Sequence, residues 1–264
     1  MLDWLEIPDG SPEKRLDLRE PKGRLRPAEE LMVSGERLYY EGNFAMAARE
    51  FGRARRHDPT LFDAWAEEVD ACLRAGMVPR AEEVADEAVD TYGKVPVFYA
   101  AKALLLAHQG YIEAAYQHSD ISVEHDDARM FTWLARGEVV LATAMYGSMR
   151  SVDHCFERAA QLDPTRWRAT FRAALALLRW GSADRAAERL RHVAERTPAN
   201  PFVWKVLGDC HRELGDDAAA RECYGVALSR RPDYDPAAEA LRSMTLWGRL
   251  HDRLAQFFGR KRGQ

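Results

Sequence analysis

The 264-residue chain has few cysteines, little net charge and no long apolar run, and each of these features excludes a class of protein. Its four cysteines are scattered without a CxxC pair, which favours a reducing compartment such as the cytoplasm over a disulfide-stabilised secreted fold. A net charge of -4 is small for this length and does not indicate nucleic-acid binding. No stretch reaches the roughly 18 apolar residues of a membrane-spanning helix, and the opening MLDWLEIPDG does not resemble a secretory signal. The composition therefore predicts a soluble cytoplasmic protein.

The sequence also lacks the short motifs of common enzyme classes. It contains no H-E-x-x-H, no G-x-S-x-G, no phosphate loop and no dinucleotide fingerprint. Two groups of residues remain as candidates for chemistry, but neither has the spacing of a known metal or catalytic site. The groups are Cys210, His211 and Cys223, and His118, His125, Asp126, Asp127 and His154. We expect no catalytic residue, no metal and no cofactor, with an enzyme or metal-dependent regulator as the alternative.

The chain does contain apolar residues at helical spacing. In the segment 204–232, such residues recur every three or four positions up to Leu214, which predicts a helix. Gly215 and Asp216 follow, and these residue types are typical of a helix end and a helix start. A second stripe then predicts another helix that ends before Pro232, so this segment is interpreted as two helices joined by a tight turn.

The same skeleton recurs along the chain. Gly181 stands 34 residues before Gly215, and Pro198 stands 34 residues before Pro232. Six units cover residues 28–61, 62–95, 96–129, 130–166, 167–200 and 201–234, and the fourth carries three extra residues. The clearest copy reads Trp204-x2-Leu207-Gly208, Ala220-x3-Tyr224 and Pro232. This pattern resembles the tetratricopeptide repeat (TPR).

The resemblance implies an all-α, right-handed superhelical solenoid of antiparallel helix pairs over residues 28–234. Residues 1–27 would form an extended N-terminal arm, in which Trp4 and Leu5 could pack on the first unit or occupy the groove of a neighbouring copy. Residues 235–264 would form a C-terminal capping helix and a basic tail. Because no single unit can bury its apolar face alone, most apolar residues would serve the stacking of the units.

In this family, the first helix of each unit lines a concave groove. The corresponding residues here are acidic and tyrosine-rich at one end, apolar in the middle and basic at the other end. Such a groove would bind an extended or helical segment of a partner protein and fix its direction. The residues assigned to partner binding are Tyr39, Tyr40, Leu104, Phe131, Leu134, Arg168, Phe171, Arg172, Arg179, Lys205 and Arg212. The alternative interpretation is a solvated charged face with apolar residues packed inside the array.

Some family members bind a partner's C-terminal carboxylate through a clamp of lysine, arginine and asparagine. Glu36 and Asp70 stand where this clamp needs asparagines, so we do not expect one here. The arginines of the later units could still pair with an acidic partner. The resemblance thus predicts a non-enzymatic interaction scaffold or adaptor.

The C-terminal residues predict one long helix from Pro236 to Phe258 with a continuous apolar stripe. Its first half is expected to cover the sixth unit, whereas its second half is longer than one unit can cover. That half could pair with another copy, dock elsewhere on the chain or lie on an anionic membrane through the basic tail. The residues assigned to oligomerisation are Trp247, Leu250, Leu254 and Phe257.

Overall fold

The structure is a computed structural model that describes residues 27–124, 128–143 and 149–244. Within these ranges the chain is helical and contains no strand. The complete helices are α1 (Pro27–Tyr40), α2 (Phe44–His57), α3 (Phe62–Arg74), α4 (Val78–Tyr92), α5 (Pro96–Gln109), α6 (Ile112–Val123), α7 (Met130–Ala142), α8 (Met149–Leu162), α9 (Trp167–Arg179), α10 (Ala183–Arg196), α11 (Pro201–Glu213) and α12 (Asp217–Arg230). Residues 235–244 are also helical.

The helices pack in consecutive pairs that stack along the chain. Each odd-numbered helix packs on the helix that follows it, and each even-numbered helix packs on the first helix of the next pair. The first helices α3, α5, α7 and α9 also pack on one another in sequence. The prediction of an all-α solenoid of antiparallel helix pairs is therefore confirmed.

The turn between the two helices of a pair is tight, as the last pair illustrates. Gly215 adopts a φ of 77°, a left-handed conformation that glycine tolerates without steric cost. The side chain of Asp216 then accepts a hydrogen bond from the Ala219 N–H at 3.0 Å and caps α12. Only Leu214, Gly215 and Asp216 separate α11 from α12.

Three first helices carry a glycine directly against an aromatic ring of the second helix in the same pair. A Cβ added to any of these glycines would lie 2.4–2.6 Å from a ring carbon, which is closer than packed atoms can approach. The pairs are Gly35 with Phe51, Gly137 with Phe156, and Gly208 with Tyr224. In these pairs the glycine allows the ring to be buried between the helices.

We expect Gly208→Ala to lower the free energy of unfolding by about 1–3 kcal/mol, because the new methyl group overpacks the contact with Tyr224. Gly225→Ala is the matched control, since Gly225 lies in the neighbouring α12, is exposed and has nothing within 4 Å of an added Cβ. There the same change should stabilise the helix by up to about 1 kcal/mol. Urea denaturation measures both values, and equal effects of the two changes would contradict the close contact.

The helical residues 235–244 pack on the end of the array. Ala237, Ala240 and Met244 are buried and belong to the main apolar cluster of the protein. The residues assigned to oligomerisation, Trp247, Leu250, Leu254 and Phe257, lie outside the described residues, as do Trp4 and Leu5 of the N-terminal arm. Self-assembly through the C-terminal helix stays a prediction. None of the described helices combines the length and apolar character needed to cross a bilayer.

Candidate functional site

The inner face of the superhelix is filled by side chains of the chain itself. Of the residues assigned to partner binding, Tyr39, Tyr40, Leu104, Phe131, Leu134, Arg168, Phe171 and Arg172 are all at most 8% exposed. Arg179 and Arg212 are exposed, and Lys205 is half-buried. The burial of these residues agrees with the alternative interpretation, in which the apolar residues pack inside the array. The role of these residues in partner binding stays a prediction.

An aromatic cluster fills the groove where the first pair of helices meets the last two pairs. Tyr40, at the end of α1, packs edge-on against Trp167 of α9, with ring centroids 4.9 Å apart. Phe44 of α2 contacts Phe202 of α11 at 5.7 Å, and Phe171 of α9 lies between Tyr40 at 5.9 Å and Phe202 at 5.6 Å. We call this contact between the two ends of the array the closure.

A backbone contact adds to the closure beside these rings. The side chain of Asn200 donates a hydrogen bond to the carbonyl oxygen of Tyr40 at 2.9 Å. Gly42, in the turn after α1, lies so close to Phe202 that an added Cβ would be 2.8 Å from the ring. The turn between α1 and α2 is thus packed directly against the start of α11.

Ion pairs between α9 and the acidic residues of the first two helix pairs complete the closure. Arg168 Nη1 lies 3.4 Å from Glu36 Oε2. Arg172 Nη1 donates to Glu67 Oε1 at 2.8 Å, and its Nη2 lies 3.5 Å from Asp70 Oδ2. Glu36 and Asp70 are the residues that replace the asparagines of the carboxylate clamp. The acidic residues that argue against a clamp are therefore partners of the chain's own arginines.

A buried hydrogen-bonded chain continues from Asp70 into the interior. The hydroxyl group of Tyr39 donates to Asp70 Oδ2 at 2.6 Å and accepts from Arg74 Nε at 2.8 Å. The guanidinium group of Arg172 lies over the Tyr39 ring, 4.4 Å from its centroid. Tyr39 is thus enclosed by two arginines and a carboxylate, and burial raises its pKa.

Glu138 on α7 is the last member of this hydrogen-bonded series of side chains. Its Oε2 accepts a hydrogen bond from Arg74 Nη2 at 3.0 Å, and its Oε1 contacts His108 Nε2 at 3.0 Å and accepts from Trp180 Nε1 at 3.3 Å. Burial alone would raise the pKa of Glu138, but the charge of Arg74 and the hydrogen bond with His108 lower it to about 2. The carboxylate is therefore ionised and fully engaged at neutral pH.

The space left in this interior is small. A cavity of about 10 Å³ lies between Asp70, Arg74, Leu104, Glu138 and Arg172, among others, which is room for about one water molecule. Among the described residues, buried polar atoms without a hydrogen-bond partner are His108 Nδ1, Arg168 Nε and Nη2, and Arg172 Nε, whereas Asp70 Oδ1 makes no hydrogen bond but lies 3.1 Å from Arg74 Nε. A buried polar group left unpaired costs about 1–3 kcal/mol. The closure thus contains arginine N–H groups that could donate hydrogen bonds to a bound partner.

The residues considered for chemistry do not form a reactive site in the described part of the chain. Cys210 and Cys223 are free and buried, and burial raises their pKa values to about 12 and about 11, so both thiols are protonated and weakly nucleophilic at neutral pH. His118 packs on the ring of Tyr99, and His154 packs on Trp133. Within the ranges described, no group of three histidine, cysteine or acidic side chains could hold a metal ion. His125, Asp126 and Asp127 lie outside those ranges.

Comparison with known proteins identifies the family. No protein-family model matches the chain. It is 36% identical over 74 residues to the TPR repeat-containing protein PA0015 of Pseudomonas aeruginosa, and the match covers 28% of this chain and 69% of that protein. The chain is a tetratricopeptide repeat protein. It is also 32% identical over 93 residues to human tetratricopeptide repeat protein 7B, where the match covers 35% of this chain but only 11% of the human protein.

Some solved structures are similar at lower sequence identity. YrrB, a TPR protein with an unusual peptide-binding site, is 16% identical, with 74% of this chain and 99% of that chain covered and a TM-score of 0.42. PilW, a type IV pilus biogenesis factor, is 12% identical, with 83% and 100% covered and a TM-score of 0.49. Neither likeness informs on the function of this TPR protein.

Sequence reasoning placed most of the closure residues on the inner face but missed several of their partners. Glu67, Trp167, Trp180 and Asn200 were assigned no role, although each contacts a residue of the interior. A signal was present for one of the ion pairs, because Glu67 and Arg172 occupy the same position of the second and fifth units. The pairs of Glu36 with Arg168 and of Asp70 with Arg172 join different positions of their units and had no such signal.

Proposed function

We propose that this TPR protein is a non-enzymatic interaction scaffold in which a partner's segment binds the inner face and replaces the closure. The observation that carries the proposal is the composition of the closure. Its rings and arginines are the residue types that contribute most to protein–protein binding. It also contains buried N–H groups of Arg168 and Arg172 that find no acceptor among the described residues.

Exchange of the closure for a partner is energetically reasonable. Buried ion pairs such as that between Arg172 and Glu67 are weak contributors to net stability, because the desolvation of both charges offsets much of their attraction. A partner's segment that brings aromatic side chains and carboxylates could satisfy the same rings and additional donors of Arg168 and Arg172. The free energy of opening would be subtracted from its affinity, so binding would be selective for such segments.

The exposed basic residues Arg179 and Arg212 belong to the inner positions of the last two units and would contact an acidic part of the segment first. The four cysteine thiols are free, which supports action in a reducing compartment such as the cytoplasm.

We expect Arg179→Glu with Arg212→Glu to abolish the capture of specific partners from an extract of the native cells, because both charges face the proposed path of the segment. The control is Arg196→Glu with Arg230→Glu, which reverses two exposed charges on second helices. Mass spectrometry identifies the captured proteins, and circular dichroism confirms that each variant is folded. A set of partners lost only with the first variant supports the inner face, whereas an identical set in all three samples would contradict it.

A further inference from the structure

A second candidate site lies outside the closure, between α2, α3 and the start of α4. It is an open cleft of about 480 Å³. The lining consists of Ala48, Arg49, Gly52, Arg53, Arg56, Glu68, Cys72, Met77 and Arg80. None of these residues takes part in the closure. The cleft therefore combines an apolar floor with a rim of four arginines.

The acidic residue in the floor of the cleft is already paired with two arginines of the chain. Glu68 is 3% exposed, and its Oε2 accepts a hydrogen bond from Arg55 Nε at 2.8 Å. Its Oε1 accepts from Arg80 Nη2 at 2.8 Å. Gly52 lies directly over this carboxylate, since an added Cβ would be 2.8 Å from Oε1. Glu68 thus fixes the walls of the cleft and does not repel an anionic ligand.

Two of the rim arginines are paired within the described part of the chain, and two are not. Arg53 pairs with Glu50 at 2.9 Å, and Arg80 pairs with Glu68 and with Glu83. Arg49 and Arg56 are exposed, and neither has a hydrogen bond or an ion pair among the residues that the structure describes. They stand seven positions apart on α2, so they lie on the same face of the helix about 10.5 Å apart along its axis.

We propose that this cleft binds an acidic segment of a partner protein in a polyproline II-like conformation, with two carboxylates three residues apart. In that conformation residues i and i+3 share one face and are separated by about 9.3 Å, which matches the spacing of Arg49 and Arg56. Each carboxylate would pair with one guanidinium group, and charge-assisted pairs of this kind can be bidentate. An apolar side chain between the carboxylates would cover Ala48 and Met77 in the floor. The site is separate from the closure, so its test does not depend on the opening of the groove.

The probe is a fluorescein-labelled peptide with blocked ends and the sequence DWLEIPD. This sequence has acidic residues at every third position, and it occurs in this chain at residues 3–9. The control peptide carries asparagine and glutamine in place of the acidic residues. Fluorescence anisotropy measures binding to the full chain at low and high salt, because paired exposed charges are weakened by screening.

We expect saturable binding of the acidic peptide that is at least about tenfold weaker in Arg49→Glu with Arg56→Glu and weaker at high salt. The control protein, Arg196→Glu with Arg230→Glu, should bind like the wild type, and the amide peptide should not bind. Equal binding to both charge-reversed proteins would overturn the proposal, and so would the absence of binding.

One further variant tests whether the chain's own acidic segment, residues 3–9, occupies the cleft. The full chain with Asp3→Asn, Glu6→Gln and Asp9→Asn keeps its length but loses the acidic residues of its own segment. If the probe binds only to this variant, the proposal of a partner's segment is overturned and the cleft is assigned to residues 3–9 of the chain. If the probe binds the wild type and this variant equally, the cleft is free for a partner and the proposal is supported.

Discussion

Replacement of Arg172 by alanine is expected to lower the free energy of unfolding by about 3–5 kcal/mol, which is the usual cost of removing one member of a buried ion pair. Arg172 is 4% exposed and contacts Glu67, Asp70 and the ring of Tyr39. Without it, Glu67 would be left in a site where burial already raises the pKa of its carboxyl group. Urea denaturation of the variant and the wild type measures this loss.

The loss should also depend on pH. In the Arg172→Ala variant, the pKa of Glu67 in the folded protein would rise further above its ordinary value of 4.5, because the opposing charge is gone. A carboxyl group with a raised pKa binds its proton more tightly in the folded state, so the stability of the variant should fall as pH rises through that pKa. The difference from the wild type should therefore be smaller at pH 5 than at pH 8.

Two controls separate the ion pair from general effects of the substitution. Arg196→Ala removes an exposed arginine from α10 and should change the stability by less than about 0.5 kcal/mol. Arg172→Met with Glu67→Gln keeps the side-chain volumes but removes both charges, and it should be more stable than Arg172→Ala. If Arg172→Ala unfolds like Arg196→Ala, the buried pair contributes nothing to the fold.

The sequence was sufficient to predict the helix pairs because the signals that define them are local. Gly215 and Asp216 lie next to each other in the chain, and the spacing between Gly208 and Tyr224 recurs between Gly35 and Phe51 of the first unit. Each such signal acts within one unit or between neighbours. Because a repeat array is built from these contacts, its helices and turns can be predicted without knowledge of the overall shape.

The closure could not be predicted in the same way, because it joins residues that are more than 100 positions apart. Tyr40 meets Trp167 and Glu36 meets Arg168 only if small rotations between successive units add up to bring α1 to α9. The total rotation between the first and fifth units cannot be predicted from any local sequence pattern. Arg166, just before α9, adopts a φ of 60°, which is uncommon for a residue other than glycine and has no signal in the sequence. The acidic and basic residues at opposite ends of the inner face were therefore predicted to bind a partner. In the structure, acidic residues of the first two units pair with arginines of the fifth.

Phe171→Ala is expected to destabilise the protein by about 3–5 kcal/mol, because the side chain is fully buried and alanine leaves a cavity. The substitution removes the ring that links Tyr40 to Phe202, so the closure should loosen and the two ends of the array should separate. Small-angle X-ray scattering should then give a larger radius of gyration for the variant than for the wild type, under conditions in which circular dichroism shows that both are folded.

Phe51→Ala is the matched control for this prediction. Phe51 is also fully buried, but its ring lies against Gly35 within the first helix pair and not in the closure. It should therefore lose a similar free energy of unfolding without an increase in the radius of gyration. If both variants keep the dimensions of the wild type, the Phe171 ring does not hold the ends together. If only Phe171→Ala expands and also binds a captured partner more tightly, then opening of the closure limits binding, because a partner that selects the open form gains from every change that populates it.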